Sequence, residues 1–350
     1  MRNIRWTSLM VPVLSVVFGL IVGGIIMLAG GYNPLKAYVA LFQGVVGGPY
    51  FIGETIRTIT PLILTGLSIA FAFRTGLFNI GAEGQFIVGW FASVFIGITV
   101  HAPKVVHLPL ALLAAAAVGA LWGVVPGILK ARWKVHEVIV TIMMNYIALH
   151  VTNEWIRHYL KAENAERTNE IQQSASLASP FLQQVTDYSR VHYGIIVALC
   201  AAVVMWWILR KTTLGFELRS VGFSSDASKY AGMNVERNIV LSMTISGAFA
   251  GLAGAMLGLG TYQYMTINSA GFIGIGFTGI AVSLLGANTA AGVVLAAILF
   301  GSLEFGASNM QAQAGVPPEV IKTVMAMIIF FVGSSYFIRW LLGRFRKGEN

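Results

Sequence analysis

An all-α, polytopic transmembrane helical bundle of about ten spans, with both termini cytoplasmic and pseudo-repeated halves, is the fold class this sequence predicts. Three observations predict it. The chain is 56% hydrophobic and only 11% charged, with mean hydropathy +0.75, whereas a soluble domain carries about 25% charged residues. Its apolar residues gather into runs of roughly 17 to 25, the length that crosses a bilayer as a helix. Its basic residues fall mainly in short connections between those runs, where the positive-inside rule expects them on the cytoplasmic side. The net charge of +9 therefore does not point to nucleic acid. The single cysteine, Cys200, lies inside an apolar run, so no intrachain disulfide is available.

The first run, Ser8 to Ala29, follows a basic Met1 to Trp6. It is longer than the roughly 7 to 15 residues of a signal-peptide core and no small-x-small cleavage site precedes a soluble domain, so it reads as a retained first span. Nine further runs follow, near 54–73, 83–100, 108–129, 137–156, 192–209, 238–260, 272–287, 289–308 and 320–338. With the N-terminus inside, fifteen of the 23 lysines and arginines fall on the cytoplasmic side. That bias supports an even number of spans with both ends cytoplasmic, in a single domain, 1–350.

Three connections are long. Gly30 to Gly53 is external, half apolar and glycine-rich, and reads as a short helix at the interface. The external segment 157–190 is polar and acid-containing, a natural docking surface for something arriving from outside. The cytoplasmic segment 210–237 contains Ser224 to Ala231, with Ser224 or Ser225 as N-cap, Asp226 in the first turn and Gly232 as C-cap, which predicts a short helix.

Between the second and third runs stands Arg74 to Gln85, RTGLFNIGAEGQ, where polarity is out of place. Asn79 and Glu83 share a helical face, and Gly76, Gly81 and Gly84 leave the backbone bare. Glu83 can be read as a helix-start acid at the cytoplasmic interface, favoured there by about 0.3 to 1 kcal/mol. It can also belong to a broken helix that re-enters the bundle, with Asn79 as cap and Glu83 and Gln85 facing a pathway. Three polar side chains clustered with three glycines favour the broken helix. Phe78 and Phe86 flank the cluster and extend the candidate pathway set, and Asn145 joins it from the fifth run.

Glu137, Thr141 and Asn145 form an i, i+4 stripe for which interhelical hydrogen bonding is the simplest role. Glu304, Asn309, Gln311 and Gln313 form another polar group, as gate or loop contact. Small residues recur at helix spacing, in Gly119, Gly123 and Gly127, in Gly247 and Gly251, and in Gly254 and Gly258; close helix packing explains them. Gly271 to Gly286 interrupts the second half as Gly76 to Gly84 interrupts the first, and paired interruptions point to a transport site near the midplane. Gly274, Gly276 and Gly279 spell a G-x-G-x-x-G that lacks the preceding strand a dinucleotide loop needs. No G-x-x-x-x-G-K followed by Ser or Thr occurs, and the six histidines are scattered. No metal or other cofactor is expected.

TPLILTGLSIAFAFRTGLFNIGAEGQFIVG (Thr60 to Gly89), EVIVTIMMNYIA (Glu137 to Ala148), LRSVGFSSDASKYAGMNVERN (Leu218 to Asn238) and SGAFAGLAGA (Ser246 to Ala255) resemble the permease subunits of bacterial ATP-binding-cassette importers. The branch they resemble takes up nucleosides and simple sugars and is related to the ribose and branched-chain amino-acid permeases. The resemblance covers about Leu41 to Gly306. Ribose-type relatives carry an acidic stretch in place of LFNIGAEGQ, which favours nucleoside over pentose. It implies a non-enzymatic permease that pairs with a second permease, two copies of an ATPase subunit that binds ATP and Mg, and an extracellular or periplasmic substrate-binding protein.

The same resemblance makes Leu218 to Asn238 the segment that docks on the ATPase. Gly222, Ala227, Ala231 and Gly232 match its pattern, and Arg219, Asp226 and Lys229 contribute charge. Ser224 and Ser225 stand where relatives often show Asn-Pro. A neutral nucleoside suits amides and aromatics better than fixed charge. The alternatives are a simple sugar as cargo, or a proton- or sodium-coupled transporter using Glu83 or Glu137.

Overall fold

A computed structural model of the chain describes residues 2–268 and 271–334. Its helices, in order, are α1 (Arg2–Ala29), α2 (Pro34–Val46), α3 (Pro49–Arg74), α4 (Ala82–Thr99), α5 (Lys104–Trp133), α6 (Glu137–Trp155), α7 (Pro180–Val185), α8 (Gly194–Lys211), α9 (Thr213–Phe223), α10 (Ser225–Tyr230), α11 (Val235–Ala255), α12 (Ile275–Leu285), α13 (Ala290–Ala314) and α14 (Pro318–Gly333). α6 and α11 continue into π-helical turns, Ile156–Leu160 and Met256–Thr261.

Among the described residues, seven helices are long and apolar enough to cross a membrane: α1, α3, α4, α5, α8, α11 with its π-helical turn, and α13. The other three expected spans differ. α6 has 19 residues but surrenders apolar character to Glu137, Asn145, His150, Asn153 and Glu154. α14 runs for 16 residues, and the last part of the run expected over 320–338 lies outside the described residues, as do Arg339, Arg344, Arg346 and Lys347. The run at 272–287 is no full span. Its helix, α12, has 11 residues, because Gly271 and Gly274 adopt φ +124° and +90° and break the chain before Ile275. Hydropathy cannot distinguish such an apolar lead-in from helix.

The helix expected between Gly30 and Gly53 is α2, seated on α13 through Ala37, Ala40 and Gly44. The Asn309 amide donates to the Ala40 carbonyl at 2.5 Å. Leu35, Val39 and Phe42 face outward. α3 starts at Pro49, earlier than the expected 54, since proline serves as a first helical residue.

α11 is the central post, packed on α3, α4 and α5. The glycine ladders are its contact faces. A Cβ at Gly119 would collide with the Gly247 carbonyl oxygen, and one at Gly247 with that of Gly119. Gly251 meets Ala115 of α5 and Gly89 of α4, and Gly254 meets the Phe86 carbonyl. Packing is therefore their role, and it lets three backbones approach without side chains between them.

Groups that the charge pattern assigns to one side are in contact with one another. At the cytoplasmic end, Lys130 pairs with Glu137 at 2.8 Å, and the Arg74 guanidinium donates to the Asn288 carbonyl at 2.7 Å. At the external end, Glu54 is fully buried and holds Arg57 at 2.8 Å and Arg190 at 2.9 Å. Segment 157–190 is folded down over this end: Thr168 N donates to Met265 O, Ile171 N to Gln263 O and Leu177 N to Leu259 O, at 2.9, 2.9 and 2.8 Å. Two of the scattered histidines serve here. His107 bonds Ser174 and the Ile96 carbonyl, and buried His192 accepts from Gly194 N.

Candidate functional site: a broken helix held against a half-helix

After Arg74 the chain turns back into the bundle. Gly76 takes φ +75°, and α4 begins at Ala82 with Asn79, Glu83 and Gln85 at most 1% exposed. The N-cap of α4 is Gly81 rather than the expected Asn79, and two asparagine side chains, Asn79 and Asn145, take up backbone N–H groups at this helix start. Asn79 Oδ1 accepts from Gly81 N at 3.0 Å, while its Nδ2 donates to Gln85 Oε1 and to Ser246 Oγ, both at 2.8 Å. Ser246 Oγ in turn donates to the Ser68 carbonyl at 2.7 Å, so α3, α4 and α11 share one network. From α6, Asn145 Oδ1 accepts from Gly84 N at 2.8 Å and its Nδ2 donates to Ile80 O at 3.0 Å. Asn145 is thus the interhelical bond expected of its stripe; Thr141 bonds back into its own helix and Glu137 pairs with Lys130.

Glu83 is fully buried, and its carboxylate accepts from Gly274 N at 2.8 Å and Gly276 N at 2.6 Å. These are the first amides of α12, and Gly274 is its N-cap. A carboxylate facing a helix N-terminus meets both its unpaired donors and its partial positive charge. Gly276 lies so close to the Glu83 backbone that a Cβ would sit 2.5 Å from Glu83 Cα. The two glycine interruptions, one from each half of the chain, are therefore one contact.

The reach of α12 follows from its length. α12 rises about 16 Å at 1.5 Å per residue, roughly half of a ~30 Å hydrocarbon core. Its cytoplasmic end is fixed by Arg74 on Ala287 and Asn288.

Phe86 is buried against α11, and Phe78 packs on Phe73 at 5.0 Å. The cavity walls begin one contact beyond Glu83. A cavity of about 240 Å³ lies between α3, the π-helical turn of α11 and α13, with Arg57, Thr261, Tyr262, Ile273 and Glu304 in its wall. A second, of about 440 Å³, lies among α12, α13 and α14 and shares Ile273 and Glu304. The sequence reading did not single out Arg57, Tyr262 or Ile273. Only Arg57, a cation inside a predicted span, carried a signal that could have found it.

On the cytoplasmic side, α10 is the helix expected over 224–231. Ser224 Oγ accepts from Ala227 N at 3.2 Å, Asp226 lies in the first turn, and Gly232 at φ +83° ends it. The 11 residues of α9 precede it and were not expected. Between them lies a groove of about 390 Å³ bordered by Phe216, Arg219, Phe223, Ala227, Ala231 and Met233. Asp226, Lys229 and Gly232 are exposed beside it. Phe223 and Tyr230 are each 95% exposed; they and Phe216 are the three aromatics of the cytoplasmic connection, and that was the available signal for them.

Gly222 joins this hairpin to the broken helix. A Cβ there would collide with the Arg74 carbonyl oxygen and lie 2.9 Å from Thr75 Cα. Ser242 Oγ of α11 donates to Thr75 Oγ1 at 2.8 Å, and Asn238 donates to Glu217 of α9 at 2.9 Å. A continuous path of direct contacts runs from α10 through α9 and the turn after Arg74 to Glu83 and α12.

A multi-pass helical bundle with a broken helix at its centre, cavities beside it and a cytoplasmic hairpin braced against it is a membrane permease. The chain belongs to the family described as branched-chain amino acid transport system / permease component, which matches residues 51–333. It is 60% identical over 343 residues to the guanosine ABC transporter permease protein NupP of Bacillus subtilis, covering 98% of each chain. It is 42% identical to the nucleoside ABC transporter permease protein NupB of Lactococcus lactis, over 97% of this chain and 94% of that one. Identity to the glucose ABC transporter permease protein TsgB13 of Haloferax volcanii is 32%, over 97% and 90%. A permease component of this kind is not itself an enzyme: it works with ATPase and substrate-binding partners.

Proposed function

We propose that this chain is the membrane-spanning subunit of an ATP-driven nucleoside importer in a bacterial cytoplasmic membrane. The observation that carries the substrate class is the near-full-length identity to a guanosine permease, almost twice that to a glucose permease. The chain needs no cofactor of its own, ATP and Mg residing on the ATPase. A second permease completes the path, and the substrate-binding protein docks on 157–190.

The contact path supports a mechanism. The α9–α10 hairpin seats in the ATPase, with Arg219, Asp226, Ala227, Lys229, Ala231 and Gly232 at the contact. Its displacement reaches the turn after Arg74 through Gly222, where no side chain intervenes to absorb it. Asn79, Gln85, Asn145 and Phe86 hold α4 rigid, so the movement arrives at Glu83 and re-aims the N-terminal half-turn of α12 beside the cavities. Such motion is rigid-body rocking of packed helices. Glu83 acts through α12 and is a positioning residue, and Phe78 steadies the turn. Both acids that an ion-coupled transporter would use are engaged, Glu83 by two amides and Glu137 by Lys130. That favours ATP as the energy source.

The test is uptake of labelled guanosine by cells that carry the whole importer. Accumulation should persist with a protonophore and vanish without the ATPase subunit. Uptake independent of the ATPase, or of glucose alone, contradicts the reading.

Truncating Phe223 and Tyr230 together to alanine should leave the protein in the membrane, since neither side chain is buried. Aromatic anchors at interfaces are worth about 2 kcal/mol or more each, so co-purification with the ATPase should be lost and uptake should fall at least tenfold. Retained co-purification would remove the hairpin from the docking surface.

A further inference from the structure

We propose that the cavity of about 240 Å³ between α3, α13 and the π-helical turn is a nucleoside subsite, in which Tyr262 supports the base and Glu304 accepts the vicinal ribose hydroxyls. The proposal rests on the nucleoside reading above and adds to it the residues that discriminate. Glu304 carries it. An acid inside a membrane-spanning helix is costly unless it is engaged or functional; Glu236 and Glu319 lie in the first turns of α11 and α14, and three others are engaged, Glu54 by two arginines, Glu83 by two amides and Glu137 by Lys130. Among the described residues Glu304 has no hydrogen bond or ion pair, and it stands exposed in the wall shared by the two cavities. Arg57, which lines the smaller cavity too and with Lys322 is close enough to attract Glu304, gives its Nε to Glu54 at 2.8 Å.

A carboxylate offers two acceptor oxygens and no donor. Its complement is a pair of adjacent donors on an uncharged molecule, which a ribose diol supplies. The same lining offers a surface for a flat ring. Tyr262 is 40% exposed and stacks on Trp90 at 5.9 Å and 22°. Trp90 is itself 1% exposed, with its indole N–H donating to the Tyr264 carbonyl at 3.0 Å. The Tyr262 ring is thus held in place before any base arrives, and stacking on it tolerates every base because each has a π-face. Tyr262 directly follows Met256–Thr261, and π-helical turns are frequent at functional sites. Thr58, Thr261 and Ser308 line the same space.

The experiment is binding of tritiated guanosine to the purified permease–ATPase complex without the substrate-binding protein, competed by unlabelled guanosine or 2′,3′-dideoxyguanosine. Glu304→Gln should weaken guanosine at least fivefold and dideoxyguanosine less than twofold, with Glu304→Asp recovering part of the loss. Tyr262→Ala should weaken both. Uptake that proceeds in cells with guanosine binding unchanged by Glu304→Gln, or weakening of both competitors equally, overturns the subsite while leaving the importer reading intact. A wild-type importer that takes up no nucleoside overturns both.

Discussion

Alanine in place of Glu83 should leave a protein that reaches the membrane and supports ATP hydrolysis by its partner, yet moves at least tenfold less substrate. The carboxylate holds the Gly274 and Gly276 amides at 2.8 and 2.6 Å in a fully buried site. Each hydrogen bond to a charged group is worth about 1.5–3 kcal/mol, and a buried donor left without an acceptor costs about 1–3 kcal/mol. The helix start would refold locally to recover those bonds, displacing Ile273 and Gly274 in the cavity walls. The rest of α12 stays anchored, since Gly279 lies against Thr65 and Gly66 against Val282. Glu83→Gln keeps one acceptor and turns an NH₂ toward an N–H, so it should fall between wild type and Glu83→Ala. Parallel measurement of membrane yield, ATPase rate and uptake checks the ordering. Unchanged uptake in Glu83→Ala would leave Glu83 with a purely local capping role.

Leucine at Gly251 should have the largest effect on stability. Gly251 sits where α4, α5 and α11 converge, with Ala115 and Gly119 on one side and Gly89 on the other. Overpacking a rigid core costs about 1–3 kcal/mol and sometimes more, and here the obstruction is backbone on both sides, so no rotamer relieves it. Membrane-fraction yield and detergent melting temperature should both drop sharply. Leu121→Ala, at a position 66% exposed on α5, should change neither. A normal yield for Gly251→Leu would mean that the three helices can separate at little cost.

Much of the bundle was legible because the features that define it are local. Apolar runs gave most of the long helices. Ser224, Asp226 and Gly232 gave the short cytoplasmic helix, since caps act within a few residues. The glycine ladders announced close packing, though not which helix would meet which. What remained hidden depends on distance along the chain. Glu83 and its amide partners are 191 and 193 positions apart, and no periodicity reports such a pairing. The half-helix was hidden for a related reason: the lead-in before Ile275 is as apolar as a helix, and only the left-handed glycines end it. Nothing local marks Tyr262, because the ring it stacks on, Trp90, is remote in sequence.

In the proposed mechanism, displacement at the cytoplasmic hairpin reaches α12 through Glu83. Spin labels at Leu121 on the outer face of α5 and at Phe277 on α12, in a Cys200→Ala background, measure it directly in the assembled importer by double electron–electron resonance. With nucleotide trapped on the ATPase, the distance should shift in the wild-type sequence and stay fixed in Glu83→Ala, although both trap nucleotide equally. An identical shift in both would contradict the account.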